Sequence, residues 1–389
     1  MSLDACDITL ILDEVGHLVT KEIRPCVTPC ERTMDASSFH QLMDSMGALG
    51  LFPCTEQDDT PGLWSDVDDA PAVQLSLGIL RELARGNAAL ALAAHRRALA
   101  QWVLAACAAP PALAAPIQAA GLAMVAVGHH GLARESLGRW LAQQSLQDDD
   151  VHMLSDWLDR SAHATQVWAT PGWQALLWPV WRDGVVQWRV DARHALQVQS
   201  GVAPHGLGEL DTASVRHPPG AHVDRAGTDP RWCSTLDEST ARQLMLNVLK
   251  MEFMATMAIG LGVLDGGAAL ARPFAALRRQ GGCTIERHPA VQAMLCDIST
   301  TQQLVQSLLA QCHRPMADIA LAEVAAARWN TSRALVHASH QVIQIHGGVG
   351  YMRDAGPEKL MRDQNMLRWT AGGAHNLPLL LSGLQGGQP

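Results

Sequence analysis

The C-terminal part of the chain carries its most informative sequence, QVIQIHGGVGY at residues 341–351 followed by EKLMRD at residues 358–363. The apolar spacing upstream predicts a helix from Met316 to His346 that stops at Gly347 and Gly348, because glycine readily takes the left-handed conformation that ends helices. The next segment, LRWTAGGAH at residues 367–375, is rich in glycine and predicts a loop.

Together these segments resemble the C-terminal signature of the acyl-CoA dehydrogenase family. In that family the last segment continues as L-R-I-Y-E-G-T-S-E-I, and the Glu before the Gly is the usual base that takes the α-proton of the substrate. Ala371 occupies this position here. A methyl group cannot accept a proton, so the resemblance implies the scaffold of the family without its usual catalytic residue.

The rest of the chain separates into helical, strand-rich and again helical regions. Apolar residues at three-and-four spacing predict helices in the first region, including a helix pair joined at Gly86 and Asn87. We therefore predict an α+β fold of the acyl-CoA dehydrogenase type. Its parts are an N-terminal helical domain (residues 1–110), a middle β-barrel domain (residues 111–230) and a C-terminal four-helix bundle (residues 231–389).

Two local patterns support the second and third regions. Residues 176–181 and 185–190 are apolar and flank Asp183-Gly184, which predicts two strands joined by a tight turn. Thr235 and Glu238 have the spacing of a capping box, in which the two side chains bond the free amides at a helix start. They predict that a long helix begins near residue 235.

The composition is that of an ordinary globular protein. Of 389 residues, 48% are hydrophobic and 17% charged, and the net charge of -9 argues against a general nucleic-acid-binding surface. We find no export signal and no charge-free run long enough to cross a membrane, which predicts a cytoplasmic protein with nine reduced cysteines. The close pair Cys26 and Cys30 lacks further ligands, so no metal site is predicted.

Several positions match family motifs that bind a dinucleotide. The family resemblance implies that they hold the ADP half of FAD across a subunit interface, and hence that the chain forms a homodimer or homotetramer. A guanidinium pairs with a pyrophosphate, and glycines let backbone amides approach its oxygens. Taken alone, the glycines would read as a helix cap and the arginine as a solvated helix end. The matching residues are Arg278, Gln280, His288, Gln344, Gly347 and Gly348.

Motifs that hold the flavin ring and thioester in the family match less well. The family segment T-E-P-G-A-G-S-D corresponds to residues 128–135, which keep Gly131 and an acid. The family W-x-T, which lies against the flavin, corresponds to Trp157, Leu158 and Asp159. The family Thr after the catalytic Glu-Gly is Gly373 here.

Other residues are candidates to replace the missing base. Some family members place the base on the long helix of the C-terminal domain, and alignment on residues 258–260 puts that position at Lys250, with Glu252 nearby. Residues two apart on a helix point roughly 200° apart, so both cannot face one site. A solvated Lys and Glu is the ordinary alternative. His375 is a further catalytic candidate, and the adjacent His129 and His130 could supply one acid or base.

The resulting functional prediction is a divergent FAD-dependent flavoprotein that acts on an acyl thioester of coenzyme A or a carrier protein in a specialised, for example biosynthetic, pathway. One alternative is a flavin-dependent oxygenase, because loss of a carboxylate leaves room for dioxygen beside the flavin. Another is a protein without redox chemistry on the same scaffold, which binds acyl groups or catalyses an isomerisation or elimination. No nucleic acid or membrane partner is expected.

Overall fold

The structure is a computed structural model of the chain. It describes residues 3–27, 33–52, 61–113, 121–124, 134–159, 161–201, 203–218 and 232–386.

Helices form the N-terminal region. They are α1 (Ala5–Leu18), which continues through a π-helical turn (Val19–Ile23) into α2 (Arg24–Val27), then α3 (Ala36–Ala48), α4 (Ala70–Gly86), α5 (Ala88–Ala106) and a 3-10 turn (Pro111–Leu113). Asn87 separates α4 from α5, and its side chain accepts hydrogen bonds from the amides of Ala89 and Leu90. The predicted helix pair is therefore present, because Asn is a favourable N-cap.

Within the described residues, the middle region contains two sheets and two helices. The first sheet has the order β1-β3-β4-β7 and the second the order β2-β6-β5; among these described strands β1 and β3 pair in parallel and the other pairs are antiparallel. Apolar residues from both sheets form a separate core that includes Trp173 and Trp178. The elements are β1 (Leu122–Met124), α6 (Arg134–Leu141), α7 (Asp148–Leu158), β2 (Thr165–Ala169), β3 (Ala175–Arg182), β4 (Val185–Ala192), β5 (Gln197–Ser200), β6 (Asp211–Arg216) and β7 (Trp232–Cys233).

The predicted hairpin is formed by β3 and β4. Arg182 pairs with Val185, so only Asp183 and Gly184 lie in the turn. Their φ angles are 52° and 80°. Two successive left-handed residues match the twist of antiparallel strands.

The C-terminal region is a helix bundle. Its elements are α8 (Glu238–Leu277), the hairpin β8 (Arg279–Gln280) and β9 (Cys283–Thr284), α9 (Pro289–Ala310), α10 (Leu321–His346), α11 (Pro357–Leu367) and α12 (Leu377–Gln385), with 3-10 turns at Ile285–Arg287, Met316–Asp318, Gly347–Tyr351, Arg353–Ala355 and Ala374–Asn376.

Two predicted helix starts need correction. The capping box at Thr235 and Glu238 is wrong, because the N-cap is Asp237, whose carboxylate accepts a hydrogen bond of 3.0 Å from the amide of Thr240. The predicted helix from Met316 begins instead at Leu321, since Met316 lies in a separate 3-10 turn. Both errors lie at helix ends, where several polar residues compete for the capping position.

Helix α8 is the central element of the molecule. It is long and apolar enough to cross a membrane by composition, but 83% of its most apolar window is buried within the protein, as in a core helix. α8 packs against α4, α5, α9, α10 and α11. A Cβ at Gly262 would lie 2.1 Å from the carbonyl oxygen of Arg81 on α4, so this close helix crossing requires glycine.

Candidate active site

A buried carboxylate lies where the three regions meet. Glu252 on α8 has no exposed surface, and one of its oxygens lies 3.2 Å from Nη2 of Arg96 on α5. Nη1 of Arg96 donates to the carbonyl oxygen of Met124 at the end of β1, at 2.9 Å. The other carboxylate oxygen of Glu252, Oε1, lies 3.8 Å from Nε2 of His95. Elements distant in sequence therefore converge on one acid.

Arg328 on α10 connects this acid to the loop that contains Ala371. Its buried guanidinium donates to the carbonyl oxygens of Thr370 and Ala371, the second at 3.2 Å, and lies 5.0 Å from the ring centre of Phe253. Burial lowers the pKa of Arg328 to about 10, although the charge of Glu252 raises it. Arg328 therefore stays a cation at neutral pH and interacts electrostatically with Glu252.

The loop around Ala371 has an unusual backbone. Ala371, Gly372 and Gly373 have φ angles of 48°, 83° and 80°, and Ala371 is a rare left-handed residue other than glycine. Ala371 is buried, with 2% of its surface exposed. The loop keeps a fixed, buried conformation, held in part by Arg328, although its side chain at position 371 is a methyl group.

The structure separates the two base candidates on α8. Both Lys250 and Glu252 are buried, so the alternative of a solvated Lys and Glu is wrong. Nζ of Lys250 donates to the carbonyl oxygen of Met316 at 2.9 Å, and burial lowers the pKa of this amine. Lys250 therefore faces the turn before α10, whereas Glu252 faces α5.

Of the histidine candidates, the structure describes His375, which lies apart from this cluster. His375 is exposed, and its ring packs against that of Trp369 with centres 5.0 Å apart and planes inclined at 60°. His129 and His130 lie outside the described residues.

His95 is a member of the cluster that the sequence did not indicate. Its Nδ1 accepts a hydrogen bond of 3.1 Å from the indole N–H of Trp64, and the backbone amide of Trp64 donates to Oγ of Ser76 at 2.9 Å. Burial lowers the pKa of His95 to about 4, while the charge of Glu252 acts in the opposite direction. A histidine within an Ala- and Leu-rich helix carries no local signal for such a role.

The low pKa of His95 predicts that stability falls in mild acid. The unfolded chain takes up a proton near pH 6.5, whereas the folded chain does so only near pH 4. Protons therefore favour unfolding between these values, and the loss at pH 5 amounts to about 2 kcal/mol. The free energy of unfolding in urea, measured at pH 7 and pH 5, should therefore fall about 2 kcal/mol less for His95→Gln than for wild type. The control His163→Gln changes an exposed imidazole and should lose as much stability as wild type.

The residues matched to a dinucleotide anchor lie at one end of the bundle. Arg278 caps the C-terminus of α8, and Gln344 lies in the last turn of α10. The rings of Phe274 and His346 stack with centres 4.5 Å apart and bring these two helix ends together. Arg278, Gln280, Gln344 and Gly348 are exposed, and Gly347 is half-buried.

The local backbone suits an anion at this end. Gly281, Gly282 and Gly347 have φ angles of 62°, 87° and 58°, which only glycine adopts easily. Nε2 of half-buried His288 donates to the carbonyl oxygen of Gln280 at 3.1 Å and so fixes the hairpin. An exposed guanidinium beside glycine amides is a donor set that fits a pyrophosphate.

A better match to the family's W-x-T motif lies at residues 168–170, not at the predicted residues 157–159. Trp157 and Asp159 lie in and just after α7, not on a strand. The sequence Trp168-Ala169-Thr170 keeps the family's W-x-T pattern and runs off the end of β2. Trp168 packs against the core shared with the helical regions, whereas its neighbours face the core between the sheets. The alternation typical of a strand was the signal that could have located it.

Comparison with known proteins agrees with this architecture. Residues 242–377 match the family model of the acyl-CoA dehydrogenase C-terminal domain. A 3-sulfinopropanoyl-CoA desulfinase of Paraburkholderia xenovorans is 26% identical over 145 residues, which cover 37% of each chain. A probable acyl-CoA dehydrogenase, YngJ, of Bacillus subtilis is 31% identical over 120 residues, which cover 29% of this chain and 30% of YngJ. The matches thus span about a third of these relatives.

Solved structures resemble the whole chain. PigA with FAD and proline has a TM-score of 0.74 at 11% identity and covers 99% of this chain and 100% of PigA. A glutaryl-CoA dehydrogenase with glutaryl-CoA has a TM-score of 0.72 at 16% identity, with 100% and 96% covered. The prolyl acyl carrier protein oxidase AnaB has a TM-score of 0.71 at 12% identity, with 99% and 100% covered.

Fold and bundle define a protein of the acyl-CoA dehydrogenase type, with helical regions on both sides of a β region. The family model, the relatives and the fold of the solved structures all point to the acyl-CoA dehydrogenase family. The predicted resemblance to this family and the predicted α+β fold are confirmed. The boundaries near residues 110 and 230 stay sequence predictions.

Proposed function

We propose that the chain binds FAD and acts on an acyl thioester, with Glu252 as the proton acceptor in place of the residue lost at Ala371. The observation that carries this proposal is the buried carboxylate of Glu252 at the junction of α5, β1 and α8. Arg328 lies between this acid and the loop of Ala371. Glu252 on α8 would thus replace an acid that the loop of Ala371 lacks.

The surroundings of Glu252 suit a base. Arg96 lies 3.2 Å from its carboxylate and Arg328 interacts with it electrostatically, so two cations orient the group that would accept the proton. Oε1 is buried and has no hydrogen-bond partner within the described part of the chain, so it can accept a further hydrogen or proton. A thioester carbonyl acidifies its α-carbon, and FAD, when bound, supplies an acceptor for the two electrons that leave with the hydride. Loss of one proton and one hydride leaves a double bond.

The residues of the bundle end would hold the ADP half of FAD, with Arg278 paired to the pyrophosphate and Gln344, Gly347 and Gly348 beside it. Trp168 and Thr170 would lie toward the flavin ring. PigA, which shares this fold, was solved with FAD. The proposal extends to a homodimer or homotetramer, because large apolar side chains are exposed around this end. They are Leu277, Val349, Tyr351 and Met352, with 79%, 49%, 67% and 55% exposure.

Arg278→Ala tests the cofactor anchor. Loss of the guanidinium removes a charge-assisted hydrogen bond to the pyrophosphate, which is worth about 1.5–3 kcal/mol, so we expect FAD affinity to fall roughly ten- to a hundredfold. Flavin absorbance per protein after gel filtration measures this. Arg272→Ala removes another exposed arginine of α8, which bonds Ser299 and Gln302 instead, and should leave the flavin content unchanged. Equal flavin content in both variants would exclude Arg278 as the anchor.

A second candidate is an elimination without net electron transfer. It is favoured by the absence of an acid at Ala371 together with similarity to a relative named as a 3-sulfinopropanoyl-CoA desulfinase. Glu252 would again act on the α-proton, while a leaving group departs from the neighbouring carbon.

The spectrum of the purified protein separates these functions. Yellow protein that bleaches anaerobically with an acyl thioester of coenzyme A or a carrier protein supports dehydrogenation. Yellow protein that stays oxidised while the thioester loses a leaving group supports elimination, and oxygen uptake supports the oxygenase. Colourless protein that binds no added FAD would refute the leading proposal.

A further inference from the structure

The hydrogen bond between Trp64 and His95 fixes the position of the imidazole proton. An indole N–H can only donate, so Nδ1 of His95 must accept and carries no proton. His95 is buried and has a pKa near 4, so its ring is neutral at ordinary pH. A neutral imidazole carries one proton, which therefore lies on Nε2.

This proton faces the carboxylate of Glu252. Nε2 of His95 and Oε1 of Glu252 are 3.8 Å apart, and neither atom has a hydrogen-bond partner within the ranges that the structure describes. Buried polar atoms without partners are costly. A donor and an acceptor at this distance need only a small approach, or one shared water or ligand atom, to be satisfied.

The backbone of Trp64 is strained. Its φ angle is 57°, a conformation that bulky residues rarely adopt. The hydroxyl of Ser76 accepts from the amide of Trp64 and in turn donates to the carbonyl oxygen of Ala72, each at 2.9 Å. The surrounding α4 thus stabilises a strained residue whose indole sets the tautomer of His95.

We propose that His95 is a positioning residue for Glu252, locked by Trp64 as the Nε2-protonated tautomer so that it donates to the carboxylate. This inference rests on the proposed function only where it concerns turnover. Among the described residues, the cations that face Glu252 are Arg96 from α5 and Arg328 from α10, and the neutral titratable group that faces it is His95. Lys250 of the same helix faces the turn at Met316.

Infrared spectroscopy of the whole protein at neutral pH tests the donor. The carboxylate stretches of Glu252 are assigned as the bands missing in Glu252→Gln. A phenylalanine at position 95 fills the space without donating, so His95→Phe should shift these bands, because a carboxylate that loses a hydrogen-bond donor changes its stretching frequency. His95→Gln, which retains an N–H donor, should return the bands most of the way to their wild-type positions. Bands at the same frequency in wild type and His95→Phe would overturn the proposal.

Nitrogen NMR of histidine-labelled protein tests the lock. The resonances of His95 are assigned by their absence in His95→Gln, and wild type should show a proton on Nε2 only. Trp64→Phe should release Nδ1 and give a mixture of tautomers. A proton on Nδ1 in the wild type would sink the proposal. Full turnover of Glu252→Gln would refute the proposed function instead, and both spectroscopic outcomes would be unaffected by it.

Discussion

Glu252→Gln is expected to lower the turnover of an acyl thioester by about 10²–10⁴-fold, the usual contribution of a general base. The amide keeps the size of the side chain and can still contact Arg96, but it cannot accept the α-proton. Flavin content should be unchanged, because Glu252 lies within the core rather than at the exposed bundle end. Anaerobic single-turnover bleaching, followed against acyl-CoA and acyl carrier protein thioesters, measures the effect.

Lys250→Met is the matched control for this variant. Lys250 also lies buried on α8 two residues away, but its amine bonds the carbonyl of Met316. Its loss removes one buried hydrogen bond and should leave the chemical step within a few-fold of wild type. Wild-type turnover in Glu252→Gln, or a large loss in Lys250→Met alone, would assign the base elsewhere.

Lys359→Met is expected to lower the free energy of unfolding by about 3–5 kcal/mol, because it leaves buried carboxylates without their cation. Nζ of Lys359 lies 2.9 Å from Glu209 and 2.8 Å from Asp363. Asn87 donates to Glu209 at 3.0 Å, and the amide of Leu207 donates to Asp363 at 2.7 Å. The cluster joins the α4–α5 corner, the segment before β6 and α11.

Urea unfolding at neutral pH measures this loss. Burial raises the pKa of Asp363, whereas Lys359 lowers that of Glu209, so the penalty should shrink in acid as the carboxylates take up protons. The control Arg314→Met breaks an exposed pair with Glu323, which is worth about 0–1 kcal/mol. Equal losses in the two variants would mean that the buried cluster contributes no more than a surface pair.

Sequence patterns predicted the helices and turns of the fold better than the residues of the candidate site. The helix ending at Gly347 and the turn at Asp183-Gly184 were predictable, since each depends on residues that are adjacent in the chain. The W-x-T pattern occurs at Trp168–Thr170, whereas Trp157–Asp159 has an acid in place of the Thr. The first segment lies on and just after β2 and the second lies in and just after α7.

The sequence by itself determined the resemblance to the acyl-CoA dehydrogenase family, the order of helical and strand regions and the presence of Ala371 where that family has its base. These features follow from local periodicity, turn residues and the identity of one side chain. The tertiary structure alone decided that Glu252 meets Arg96, 156 residues away, and that Lys250 does not. Which buried charge finds which partner depends on how helices pack, because desolvated groups take the partners that the core brings within reach.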